Sequence, residues 1–218
     1  MTRLLTVLLT AIFLSSCAGS STVTVGGRPV SIPKKAADEH EKLIENVGIY
    51  DDPKLNAYVN DIAQRLVTNS SLAGEEFTFT LLDSPDINAF ALPGGMIYIN
   101  RGLLAYLNTE AELAGVIAHE IAHITERHHS RRRTQQLTTQ AVAVSALILT
   151  RSGDLYDATN MYGAELVSGF GREMELEADA EGAEIMHKSG SALLITVFAT
   201  SLRVSHQTLQ GPMTPLRK

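Results

Sequence analysis

The chain has 218 residues, of which 44% are hydrophobic and 19% are charged, so its composition indicates a folded domain with a sizeable core and excludes wholesale disorder. The net charge of −6 gives no electrostatic support for nucleic-acid binding. A single cysteine, Cys17, excludes a disulfide within the chain.

The first sixteen residues have the pattern of a secretory signal. Arg3 is followed by an apolar run from Leu4 to Leu14, which is too short to span a bilayer comfortably. The segment Leu14-Ser15-Ser16-Cys17 resembles the lipobox of bacterial lipoproteins, in which the cysteine is lipidated and becomes the first residue of the mature chain. The alternative is an ordinary signal peptide, or an anchor, with an incidental cysteine. We expect a signal peptide over residues 1–16 and a lipid anchor at Cys17.

Resemblance to Gram-negative lipoproteins also implies a location. Ala18, and not aspartate, follows the cysteine. Among such lipoproteins this implies sorting to the outer membrane, with the protein facing the periplasm. Residues 17–33 are rich in Ser, Thr, Gly and Val, which predicts a flexible tether. The folded domain is then expected over residues 34–218.

The first half of this domain predicts helices followed by short strands. A helical pattern begins near Lys34, and a second helix is expected with Asp52 as N-cap and Pro53 at its first position. Alternating residues in "EFTFTLL" (76–82) predict a half-buried strand. "INAFALPGGMIYINRGLL" (87–104) predicts a tight Pro-Gly-Gly turn and a second strand over Met96–Ile99. The two strands could pair in a small antiparallel sheet.

The central helix carries two histidines and a glutamate in an apolar frame. Thr109 and Glu112 have the spacing of a capping box, which fixes the start of the helix. His119 and His123 are four residues apart, so both imidazoles point from one face toward a single metal. Glu120 is rotated by about 100° from His119, which suits a base beside a metal-bound water. Imidazole ligands favour Zn²⁺.

The spacing alone leaves the third metal ligand open. His128 and His129 follow closely, but His128 is nine positions from His119, which places it on the opposite helix face. We therefore interpret both as core or surface imidazoles. Arg131-Arg132-Arg133 is interpreted as a solvated helix end that complements the helix dipole. The better ligand candidates are acids on a second helix predicted from about Arg172 to Lys188 and ending near Gly190, namely Glu173, Glu175, Glu177, Asp179 and Glu181.

Three separated stretches resemble the M48 family of zinc peptidases. They are "NAFALPGGMIYINRGLL" (88–104), "ELAGVIAHEIAHITERH" (112–128) and "GREMELEADAEG" (171–182), in the family's order and spacing. The resemblance implies a zincin-like α+β domain that is predominantly helical, with a small antiparallel sheet and an active-site helix bearing HExxH. It also implies that one zinc ion is bound by His119, His123 and Glu175.

The family pattern assigns roles to the remaining residues. Asp179 matches the aspartate that supports the metal histidines, and Glu177 is expected to be structural. Glu120 would take a proton from the zinc-bound water as it attacks a peptide carbonyl. The segment Met96–Ile99 would be an edge strand that aligns substrate by strand addition. Family members often carry a later histidine, followed by proline, that stabilises the oxyanion. His206 is the candidate here, but Gln207 follows it, so an exposed tail residue is the favoured interpretation. After about residue 190 the chain is therefore either divergent or truncated.

The resulting hypothesis is a zinc metalloendopeptidase, anchored by lipid in the envelope and acting on misfolded envelope proteins, without a nucleic-acid partner. The first alternative is a chaperone-like outer-membrane assembly factor with weak or no proteolysis. The second is a purely structural zinc protein, which would be expected to offer four protein ligands and would leave Glu120 without a task.

Overall fold

The computed structural model of the protein describes residues 20–25, 28–150 and 153–191. The predicted signal peptide, Cys17 and His206 lie outside the described residues. The described part is mostly helical and contains a two-stranded and a three-stranded sheet, which confirms the α+β class. None of its helices combines the length and apolar character needed to cross a membrane.

The segment predicted to be a tether contains a β-hairpin. Strands β1 (Ser20–Val25) and β2 (Arg28–Pro33) pair antiparallel and lead directly into helix α1 (Lys34–Val47). Ile32 is buried, and a Cβ placed on Gly94 would lie only 2.9 Å from its Cγ2 atom. The hairpin therefore rests on the Pro-Gly-Gly turn of the main sheet, and residues 20–25 and 28–33 are paired strands. The division of the chain into signal, tether and domain stays a prediction.

Helix α2 (Pro53–Thr68) begins as its sequence predicts. The Asp52 side chain accepts hydrogen bonds from the backbone N–H groups of Lys54 and Leu55, and Pro53 occupies the first helical position. The apolar face of α2, which includes Val59, Ile62 and Leu66, is buried in the main core. It packs against the sheet and helix α4.

The main sheet has the strand order β3-β5-β4, formed by β3 (Thr78–Leu82), β4 (Ala89–Leu92) and β5 (Met96–Asn100). The predicted pairing between the first strand and the strand after the Pro-Gly-Gly turn is present, but β3 and β5 run parallel. The reason is that β4 lies between them in sequence and pairs antiparallel with β5. The sheet is therefore mixed, and its fully buried strand β5 is central.

Within the described residues, four helices follow the sheet: α3 (Arg101–Tyr106), α4 (Glu110–Thr125), α5 (His128–Thr150) and α6 (Gly153–Lys188). Helix α6 ends as predicted, with Gly190 at φ 76°, but begins well before Arg172. It packs along both α4 and α5. At Gly182 the contact is close, since a Cβ there would lie 3.2 Å from the His119 backbone nitrogen. This close approach places the acidic face of α6 beside the histidines of α4.

Candidate metal centre

Helix α4 starts at a complete capping box. Thr109 accepts a hydrogen bond from the Glu112 backbone N–H, and the Glu112 carboxylate accepts one from the Thr109 backbone N–H. The core-facing residues of the helix are buried, Ile117 and Ile121 completely. This packing fixes the rotation of α4, and with it the direction in which His119, Glu120 and His123 project.

The two histidines of α4 and one carboxylate of α6 converge. His119 Nε2 lies 3.0 Å from His123 Nε2 and 3.3 Å from Glu175 Oε2, and the His123–Glu175 distance is 3.7 Å. Ligands bound tetrahedrally to zinc at its usual bond lengths are separated by roughly 3.3 Å. The three donor atoms could therefore hold a metal ion, and the structure brings together the residues that the sequence and the resemblance suggested.

Asp179 lies on the other side of His119. Its Oδ1 atom is 3.0 Å from His119 Nδ1, the nitrogen that faces away from Glu175. Burial alone would lower the pKa of His119, but the carboxylates of Asp179 and Glu175 raise it to about 9. In turn, hydrogen bonding to His119 and His123 lowers the pKa of Glu175, so this residue is an ionised carboxylate at neutral pH.

Glu120 lines the same cleft as the three donor residues. Burial raises the pKa of its carboxyl group, while His119, His123 and the backbone N–H of Ala91 oppose that rise. A carboxylate whose pKa is raised toward neutrality is a better proton acceptor than an ordinary surface glutamate.

The structure corrects the predicted position of His128. Helix α4 ends at Thr125, and Arg127 adopts a left-handed conformation with φ 54° before α5 begins at His128. This turn reverses the direction of the ring, so His128 Nδ1 lies 2.8 Å from His123 Nδ1 and does not point to the opposite face. His128 is 3% exposed, and its Nε2 atom lies 3.0 Å from Glu177 Oε2.

The three arginines that follow His128 and His129 do not form the predicted helix end that complements the helix dipole. Arg131, Arg132 and Arg133 lie near the amino end of α5, where positive charge does not complement the helix dipole. Arg131 instead binds the Glu177 carboxylate, with one Nη2–Oε1 distance of 3.3 Å and a second, shorter contact. Glu177, expected to be structural, thus connects α6 to both His128 and Arg131.

A cleft opens beside the donor atoms and is bordered by the outer strand of the sheet. The predicted edge strand, Met96–Ile99, is the central strand β5, so that expectation is wrong. The edge strand beside the cleft is β4, because the Pro-Gly-Gly turn folds it back along the outside of β5. Along with the donor residues and Glu120, the residues lining the cleft are Ala89, Phe90, Ala91, His128, His129 and Arg132.

Sequence reasoning missed His128, Glu177 and Arg131 as neighbours of the centre. Their only local signal is the clustering of histidines after the HExxH motif, which is ambiguous because no glycine or proline marks the turn at Arg127. The pairing with Glu177 depends on how α6 packs, which the spacing of residues does not reveal.

The fold and the centre together define a class: an α+β domain in which an HExxH helix and a glutamate from a later helix form a metallopeptidase-type centre. The model of peptidase family M48 matches residues 53–210. The chain therefore belongs to peptidase family M48. The match continues past Gly190 and includes the segment that holds His206.

Curated relatives agree with this assignment. The chain is 32% identical over 148 residues to the beta-barrel assembly-enhancing protease of Yersinia pestis, covering 64% of this chain and 30% of that protein. It is 30% identical over 151 residues to the protein of the same name from Escherichia coli K12, covering 65% and 31%. It is 32% identical over 133 residues to the mitochondrial metalloendopeptidase OMA1 of Schizosaccharomyces pombe, covering 61% and 39%. The chain thus spans about a third of the length of these relatives.

Proposed function

We propose that the protein is a zinc-dependent metalloendopeptidase that binds one zinc ion per chain through His119, His123 and Glu175. The observation that carries the proposal is the triangle of donor atoms, with sides of 3.0, 3.3 and 3.7 Å, beside the half-buried Glu120 in the same cleft. Three protein ligands leave a tetrahedral site open for substrate or water, as catalytic zinc sites require. A structural site would be closed by a fourth ligand.

The roles of the residues follow from their positions. Bound by these three groups, zinc would supply Lewis acidity toward a water molecule and toward the substrate carbonyl. Glu120 takes the proton of the attacking water on its carboxylate and passes it to the amine that leaves when the peptide bond breaks. Asp179 holds the imidazole of His119 in the orientation that points Nε2 toward the metal.

Substrate binding is proposed at the outer edge of β4. The Ala91 backbone N–H faces Glu120 from this edge, and Ala89 and Phe90 continue the strand along the cleft. An extended peptide that pairs with an exposed strand gains main-chain hydrogen bonds whatever its side chains are. This binding mode suits an enzyme that cleaves misfolded proteins of varied sequence.

The cellular setting is also a proposal. The lipobox-like segment ending at Cys17 supports a lipid anchor, and Ala18 supports the outer membrane facing the periplasm. The names of the bacterial relatives refer to beta-barrel assembly, which supports substrates among misfolded envelope proteins. No feature of the composition supports a nucleic-acid partner.

Variants of the full chain test the enzyme activity directly. Glu120→Gln should retain one zinc per chain but lose casein cleavage by about 10²- to 10⁴-fold, because the general base is removed. Glu175→Ala should lose zinc on dialysis, whereas Glu173→Ala, at an exposed position on the same helix, should keep both zinc and activity. Metal analysis and a cleavage assay with and without a chelator give both readouts. Full activity in Glu120→Gln would refute the proposed base.

Strand addition has its own test. In an extended peptide paired with β4, only every second backbone N–H group faces the strand. N-methyl groups at those positions remove the hydrogen-bond donors, whereas N-methyl groups at the positions between them do not. We expect one methylation pattern to raise KM strongly while the other has little effect. Equal KM values for the two patterns would contradict pairing along β4.

The alternative of an assembly factor is favoured by one observation, the name of the bacterial relatives. A chain that holds zinc, does not cleave casein and still prevents aggregation of an unfolded outer-membrane protein would support this alternative. Chelator-sensitive cleavage of the same outer-membrane protein would support the peptidase.

A further inference from the structure

The second metal histidine has a neighbour on the side that faces away from the donor triangle. His123 directs Nε2 toward His119 and Glu175, and its Nδ1 atom lies 2.8 Å from His128 Nδ1. The two rings are nearly perpendicular, with 72° between their planes. At this distance one Nδ1 atom carries a hydrogen and the other accepts it.

Metal binding would decide whether His123 Nδ1 or His128 Nδ1 carries the shared hydrogen. A histidine that binds zinc through Nε2 is neutral and keeps its hydrogen on Nδ1, so His123 would donate to His128. A neutral His128 that accepts at Nδ1 has its own hydrogen on Nε2. That nitrogen lies 3.0 Å from Glu177 Oε2, which accepts it. The hydrogen positions of both rings follow from a single condition, that His123 is a ligand.

An ion pair fixes Glu177, the last residue in the series of hydrogen bonds from His123 through His128. Arg131 binds both oxygens of Glu177, so the carboxylate is held while its Oε2 atom accepts from His128. His128 itself is 3% exposed and lies at the start of α5, immediately after the left-handed turn at Arg127. The groups that hold His128 therefore come from α4, α5 and α6, and water has little access to its ring.

Two of these residues, His128 and Glu177, also belong to a group that could hold a second metal ion. Ligand atoms of Glu126, His128 and Glu177 lie within 4.8 Å of one another, which would suit a further metal ion. However, the Arg131 guanidinium already neutralises the Glu177 carboxylate, and His128 Nδ1 is in contact with His123. A cation there would have to displace Arg131, so the geometry favours a supporting role over a second metal site.

We infer that His128, anchored by Glu177, is a positioning residue for His123, just as Asp179 is for His119. This inference rests on the proposed zinc site. His119 reaches a carboxylate directly, whereas His123 reaches one through an intervening imidazole. Such partners orient a metal-bound imidazole and raise its basicity, and their loss commonly weakens metal binding by about 10- to 100-fold.

Two substitutions at position 128 separate positioning from packing. His128→Phe keeps a ring but cannot accept from His123, and we expect zinc affinity to fall about 10- to 100-fold in a chelator competition. His128→Asn places a carbonyl oxygen near the position of Nδ1, and we expect it to restore most of that affinity. The visible spectrum of the Co²⁺-loaded full chain should change in His128→Phe and return toward that of the wild type in His128→Asn.

If His128 has a merely structural role, both variants should unfold at a lower midpoint in their metal-free forms. Their Co²⁺ spectra and zinc affinity should then stay unchanged, and that result would overturn the inference. If His128→Phe does not fold, Glu177→Ala removes the acceptor of His128 Nε2 at a partly exposed position, where unchanged zinc affinity would also overturn the inference. A second zinc ion in the wild type that is lost in His128→Phe would assign His128 to a second site instead. A wild-type chain that binds no zinc would refute the proposed function itself, whereas binding that these variants do not alter would refute only the role of His128.

Discussion

Glu175 and Asp179, one turn apart on α6, face opposite nitrogens of a single imidazole. Glu175 Oε2 is 3.3 Å from His119 Nε2, and Asp179 Oδ1 is 3.0 Å from His119 Nδ1. One carboxylate is thus available as a ligand while the other orients the ring. Since both project from the same helix face, any displacement of α6 relative to α4 alters the ligand and its support together.

Asp179→Asn should weaken zinc binding without changing its stoichiometry. The amide cannot supply the charge that polarises His119, so we expect affinity to fall about 10- to 100-fold. Competition with a chromophoric chelator measures this change. Glu184→Gln is the matched control, because Glu184 is exposed on the same helix and pairs with Lys188, away from the centre. Equal affinities in the two variants would mean that Asp179 does not support the ligand.

Gly182→Ala should disturb both stability and metal binding. The added Cβ would lie 3.2 Å from the His119 backbone nitrogen and 3.3 Å from the Ala118 carbonyl carbon, so the two helices must move apart by a few tenths of an ångström. Overpacking of this kind typically costs about 1–3 kcal/mol of unfolding free energy. Urea denaturation and zinc competition check the two effects, with Ala180→Ser at an exposed position of α6 as control. Undiminished zinc affinity would show that the centre tolerates this shift.

Thr109→Ala, by contrast, should affect stability alone. The substitution removes the cap that accepts the Glu112 backbone N–H, at a cost of about 1 kcal/mol, with a usual range of about 0.5–2. The cap lies at the start of α4, more than two turns before His119, and Ile117 and Ile121 hold the rest of the helix in the core. We expect a lower unfolding midpoint with unchanged zinc affinity. A large loss of zinc would indicate that the cap controls the position of the whole helix.

Features encoded within a single element could be predicted from the sequence. The capping box, the N-cap at Asp52 and the i, i+4 pair of histidines depend on neighbours within a turn or two, and the structure shows both caps and the common face. The choice of Glu175 among five acids could not be made by spacing, because it depends on the approach of α6 to α4 at Gly182.

Two of the incorrect predictions extend a local pattern too far. His128 was assigned to the opposite face on the assumption that α4 continues, whereas the helix ends at Thr125 and turns at Arg127. Met96–Ile99 was assigned to the sheet edge, although its complete burial is that of a central strand. Strand order is a long-range property, and alternation within one strand does not specify its neighbours.

His40, a buried histidine remote from the metal centre, makes the stability of the fold depend on pH. His40 on α1 lies 2.6 Å from the Tyr98 hydroxyl through Nδ1, and burial lowers its pKa, with Glu41 opposing that shift. Because its pKa is lower in the folded than in the unfolded state, the unfolded chain takes up a proton first as pH falls below about 6.5. Protonation of the unfolded state then reduces the unfolding free energy, whereas above that pH the group has no pH-dependent effect. The stability advantage of the wild type over His40→Gln should therefore shrink between pH 7.5 and pH 5 in urea titrations. A difference that stays constant over this range would show that His40 does not titrate differently in the two states.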